Sequence, residues 1–96
     1  MAGAEKLSGE AVAALLREIP GWEQTGGRIT KTYKFKEFME AIRFVNKVAG
    51  CAESQDHHPG ILILYNKVTL TLSTHSAGGL TPKDFQLAKT IDSSAS

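Results

Sequence analysis

The segment between Gly60 and His75 constrains this chain most: GILILY is apolar on both faces, VTLTLSTH alternates strictly, and Asn66-Lys67 separates them. Strict alternation belongs to a strand and to no helix. Two strands joined by so short a link must pair antiparallel, because a parallel crossover needs about a dozen residues or more. The alternation sends Val68, Leu70 and Leu72 inward. Lys67, Thr69, Thr71, Ser73 and His75 share the opposite face, so His75 closes the strand on its polar side. A lone hairpin is marginal in water, so the rest of the chain must supply more strands and a cover.

It supplies both. Trp22 to Thr25 and Arg28 to Phe35 flank Gly26-Gly27, and Ile29, Tyr33 and Phe35 fall on one face, which reads as a second hairpin. Ser8 caps a first helix, with Leu7 and Val12 as its staple; Val12, Leu15, Leu16 and Ile19 form the stripe and Pro20-Gly21 the stop. From about Lys36 to Ser54, Phe38, Ala41, Ile42, Val45, Ala49 and Ala52 make a helical stripe widened by Phe44, Val48 and Cys51. An arc that wide exceeds one sheet contact, so its outer edge is expected to meet another helix of the chain or, as the second choice, another subunit. Thr81 as cap, Pro82 at the first helical position and a Leu80/Phe85 staple open a last helix running to about Asp92, with SSAS as a frayed tail. The expected fold is α+β: a four-stranded antiparallel sheet with three helices packed on one face, in the order helix-strand-strand-helix-strand-strand-helix.

With 96 residues, 42% of them hydrophobic, the chain is expected to form one domain over residues 1–96. A domain this small buries only about 60–65% of its unfolded surface, which makes a homo-oligomer, dimer or tetramer, an expectation. The net charge of +1 and the scattered lysines lack the basic footprint of a nucleic-acid binder. A single cysteine, Cys51, allows no intramolecular disulfide and reads as buried filler in a reducing compartment. No apolar run resembles a signal sequence or reaches the roughly 20 residues that cross a bilayer, so the reading is a soluble, cytoplasmic protein with no membrane role.

All three histidines lie at the second hairpin: His57 and His58 enter it and His75 leaves it. Two imidazoles supply a proton acceptor and a proton donor together, as an elimination of water requires. Against this stands the plain reading of histidines at strand ends as solvated surface residues. A zinc site is the other alternative, but adjacent His57 and His58 point apart and no pair has a common ligand spacing, so no metal is expected. Glu53, four residues before His57, reaches that imidazole if the helix persists, or is a solvated helix end. Asp56 is either a ligand partner or a loop residue bonded to its own backbone. Asp84, third in the last helix, is explained by the cap. Trp22 can stack on a flat heterocycle, although packing is the commoner use of such a residue.

Glu53, His57-His58-Pro59, Tyr65, His75 and Asp84, at these spacings, resemble the signature of the pterin-4a-carbinolamine dehydratases. The resemblance extends to Gly21-Trp22, Tyr33-Lys34-Phe35 with Phe38, Tyr65-Asn66-Lys67-Val68 and Leu72-Ser73-Thr74-His75, covering nearly all of the chain after the first helix. It implies a four-stranded antiparallel sheet backed by three helices, in agreement with the element order, and dimers or tetramers. It implies, too, that 4a-hydroxytetrahydrobiopterin is dehydrated to quinonoid dihydropterin in tetrahydrobiopterin recycling, without a cofactor. His57, His58 and His75 would be the catalytic residues, with His57 or His75 as acid and His58 as support or base. Glu53, Asp56, Pro59 and Trp22 would serve the substrate, as would Ser73, Thr74 and Ser76. Ser76 and Ala77 stand where animal members carry an acidic residue and a cysteine, which sets the pocket rim apart from theirs. Animal members also serve as dimerisation cofactors of a homeodomain transcription factor, so a non-catalytic protein-binding role is the alternative.

Overall fold

The computed structural model describes residues 5–95. Met1 to Ala4 of the N-terminal stretch read for a leader, and Ser96 of the tail, lie outside the described residues. The elements are α1 (Gly9–Leu16), β1 (Glu23–Thr25), β2 (Arg28–Lys34), α2 (Phe38–Gln55), β3 (Gly60–Leu64), β4 (Lys67–Leu72) and α3 (Pro82–Ala95), with a short 3-10 turn at His75–Ala77 before α3. This is the α+β order expected, and all strand pairs are antiparallel.

The four strands lie in the order β1-β2-β4-β3, so β4 sits inside the sheet and β3 at an edge. Ile29 pairs with Leu72 and Tyr33 with Val68, which places both inner rows on the side that α2 and α3 cover. Ala41, Phe44, Val48 and Ala52 of α2 and Phe85, Leu87, Ala88 and Ile91 of α3 are buried, most of them against this surface. Phe44 is the hub of an aromatic group, with ring centroids 4.6 Å from Tyr33 and 5.0 Å from Phe35.

Ser8 caps α1 as expected, its Oγ accepting from the Ala11 N–H at 3.2 Å. The helix stops at Leu16, short of Ile19, because the residue before Pro20 is pushed out of helical geometry; Ile19 is buried in the turn that follows. The α2 stripe is centred differently from its reading. Phe44 and Val48 form its middle, whereas Phe38 and Ala49 are exposed, because contact with both sheet and α3 selects the Ala41–Phe44–Val48–Ala52 row.

The second turn is Tyr65-Asn66 instead of Asn66-Lys67: Leu64 pairs with Lys67, and Tyr65 takes the positive φ of 53°. Asn66 sets that register, donating from Nδ2 to the Phe35 carbonyl and accepting the Phe35 N–H on its own, both at 2.8 Å. β4 ends at Leu72, before His75. Thr74 follows it inward, and its backbone pairs with Gly79 across the 3-10 turn. Finally, α3 continues past Asp92 through Ala95, since Ser94 bonds back to the Thr90 carbonyl at 3.1 Å and meets Cys51 Sγ at 3.5 Å. No helix among the described residues is long and apolar enough to cross a membrane.

Candidate functional site

The residue that caps the C-terminus of α2 decides where the histidines go. Asp56 adopts the left-handed conformation (φ 49°, ψ 46°), and the N–H groups of Asp56 and His57 close the helix on the Glu53 and Ala52 carbonyls. The reversal breaks the one-turn relation that would have joined Glu53 to His57. Instead His58 Nε2 meets Glu53 Oε2 at 2.6 Å, in an exposed pair, while His57 turns inward. The Asp56 carboxylate itself is left on the surface, with Pro59 half-buried beyond it.

His57 Nε2 lies 2.6 Å from Oδ1 of Asp84, whose side chain is 0% exposed. Oδ2 of Asp84 accepts the Thr74 hydroxyl at 2.9 Å and the Thr81 N–H at 3.0 Å. Asp84 therefore does cap α3 as its position predicts, and with its other oxygen it holds a histidine 27 residues away. That second duty went unread: a capping position gives no sign of what the free oxygen will meet, and the resemblance alone singled Asp84 out.

Through Asp84, the entrance of the second hairpin is tied to its exit. Thr74 immediately precedes His75, which is exposed at the start of the 3-10 turn. His75, Ser73, Arg28, Gly27, Gly78 and Gly79 line an open cleft of about 330 Å³, within the range of small-molecule sites. The Ser73 hydroxyl donates to the Gly27 carbonyl at 2.7 Å, drawing the first hairpin's turn against this rim. Gly27 is close-packed there: a Cβ on it would sit 3.3 Å from the Gly79 Cα. Ser76 is exposed on the same short turn. Arg28 was not among the residues read for the site; nothing in its strand position marks it as cleft-lining.

Trp22 is elsewhere. It is buried, edge-on to Tyr33 at 6.4 Å, and its Nε1–H is directed at the Asp92 carboxylate at 3.1 and 3.3 Å. Asp92 also accepts from Lys31 Nζ at 2.9 Å and from the Tyr33 hydroxyl. Asp92 lies eight positions after Asp84 on α3, about 12 Å along the axis. Burial, reinforced by the neighbouring Asp92, pushes the Tyr33 phenol far above its ordinary value. Trp22 packs on the first hairpin and anchors it, apart from the histidines. Among the described residues no group of three or more His, Cys, Asp or Glu is placed to hold a metal ion.

Comparison with known proteins agrees with this architecture. The family model described as pterin 4 alpha carbinolamine dehydratase matches residues 5–94. A relative from Thermomicrobium roseum is 50% identical over 91 residues, covering 95% of this chain and 98% of its own. One from Sulfolobus acidocaldarius is 47% identical over 87 residues, covering 91% and 96%. Both are named "Putative pterin-4-alpha-carbinolamine dehydratase". A crystal structure described as a transcriptional coactivator/pterin dehydratase from Brucella melitensis superposes with a TM-score of 0.92 at 35% identity, over 96% of this chain and all of that one. A pterin dehydratase-like RuBisCO assembly factor of the alpha-carboxysome shares the fold, with a TM-score of 0.64 at 20% identity over 77% of this chain and 86% of its own. This chain is a member of the pterin 4 alpha carbinolamine dehydratase family.

Proposed function

We propose that this protein dehydrates 4a-hydroxytetrahydrobiopterin to quinonoid dihydropterin and water by histidine general acid–base catalysis, in support of tetrahydrobiopterin recycling. The observation that carries the reading is the pairing of inward His57 with fully buried Asp84, joined through Thr74 to His75 at an open cleft. The substrate carries a hydroxyl on C4a and a proton on N5. His57, backed by a carboxylate, takes the N5 proton; the N5–H electrons form the N5=C4a double bond as the C4a–O bond breaks. His75 protonates the departing hydroxyl, which leaves as water, and exchange with solvent resets both rings. His58, tied to Glu53 at the surface, supports this pair. The residues suffice for this proton traffic without a cofactor, and a free Cys51 fits a cytoplasmic setting.

Self-association belongs to the same reading. β3 is an edge strand whose Leu62, Leu64 and adjoining Tyr65 are 53%, 61% and 67% exposed. An uncovered apolar edge of this kind is a template for another strand, and a second copy forming a dimer or tetramer is the proposed occupant. The exposed Phe38 and Met39 support the second reading, a binding or dimerisation cofactor for a protein partner.

The two readings part on a dehydration assay run with chelator present. His57→Ala and His75→Ala are each expected to lower the rate by about 10² to 10⁴ while leaving the fold intact. Full activity in both variants, or no acceleration by the wild type, would sink the catalytic reading and favour the binding one.

A further inference from the structure

Thr74, Thr81 and Asp84 are the buried polar or charged side chains of the described core, and the reaction proposed above uses neither threonine. Their hydrogen bonds run in one direction. The Lys83 N–H donates to Thr81 Oγ1 at 3.3 Å, the two threonine hydroxyls meet at 2.7 Å, and Thr74 donates to Asp84 Oδ2 at 2.9 Å. Each hydroxyl has one proton, and an ionised carboxylate has none to give. Thr74 spends its proton on Asp84, so Thr81 must spend its own on Thr74.

Oδ2 is then occupied by two donors, the Thr74 hydroxyl and the Thr81 N–H. Oδ1 is turned to His57 Nε2 at 2.6 Å. An acceptor on that side requires a donor from the ring. We infer that Thr74 and Thr81 are positioning residues which, through Asp84, fix the proton of neutral His57 on Nε2 and leave Nδ1 as its only acceptor atom. The assignment follows from the hydrogen-bond partners with Asp84 acting as a carboxylate; that Nδ1 is the atom receiving the N5 proton rests on the proposed dehydration. Were Thr74 unable to donate, Oδ2 would keep only the Thr81 N–H, and the carboxylate would be held less firmly with Oδ1 toward the ring.

The test reads the ring directly. In ¹⁵N-labelled wild-type protein at mildly alkaline pH, long-range ¹H–¹⁵N correlations of His57 are expected to show the Nε2–H tautomer. Thr74→Val is expected to give mixed tautomers and a kcat lower by about tenfold or more with KM little changed, and Thr74→Ser to restore both. A wild-type ring protonated on Nδ1 overturns the inference without recourse to any variant. So does a Thr74→Val spectrum identical to wild type. An Nε2–H ring in a wild-type protein that accelerates no dehydration upholds the tautomer assignment and overturns the proposed reaction instead.

Discussion

Asp84 does at one residue what caps and catalytic partners usually do at two. Its Oδ2 satisfies the start of α3 and its Oδ1 holds His57, and the side chain has no exposed surface through which water could substitute for either. Asp84→Asn preserves size but replaces one acceptor by a donor, so either the threonine side or the histidine side faces the wrong group. The expected outcome is a rate loss of about 10² to 10⁴, read as kcat with KM little changed. The capping half of this role was legible, because Thr81, Pro82 and Asp84 stand at fixed offsets. The histidine half was not: it joins positions 27 apart, and the local reading offered Glu53 to His57 on the assumption that α2 persisted. A single left-handed residue, Asp56, moved Glu53 to His58.

Between elements, the junction of α3 with the first hairpin is polar at its edge and aromatic within. Asp92 gathers the Trp22, Lys31 and Tyr33 donors, so Asp92→Ala is expected to cost about 2–3 kcal/mol in urea unfolding by leaving those groups without their charged acceptor. Tyr33 adds a pH dependence whose sign is fixed by its raised pKa, set by burial and by Asp92. Folded Tyr33 holds its proton above the value of about 10 at which an unfolded tyrosine ionises. Its contribution is complete below that pH and is lost as pH rises past it. The stability difference between wild type and Tyr33→Phe should therefore be constant near pH 8 and shrink above about pH 10. The hairpins and helices were legible from period and turn chemistry. The α2 stripe was misjudged because Phe38 and Val45 are as apolar as Phe44 and Val48, and only the docked position of α3 chooses among them.

At the scale of the molecule, the strand order could not be read from any local pattern. GILILY is apolar on both faces, as an interior strand would be, yet β3 is at the edge and the alternating β4 is inside. If a second copy covers that edge, Leu62→Lys with Leu64→Lys should shift the protein to monomer in analytical ultracentrifugation; an unchanged assembly would place the interface elsewhere. The whole also depends on a distance that no turn sets. α3 carries Asp84 to the histidine site and Asp92 to the first hairpin on one uninterrupted helix. One residue inserted between them would swing Asp92 by about 100° relative to Asp84, and a deletion would swing it as far the other way. The interval from Asp84 to Asp92 thus behaves as a ruler: substitutions can accumulate along it, while a change of length would part the histidine site from its anchor.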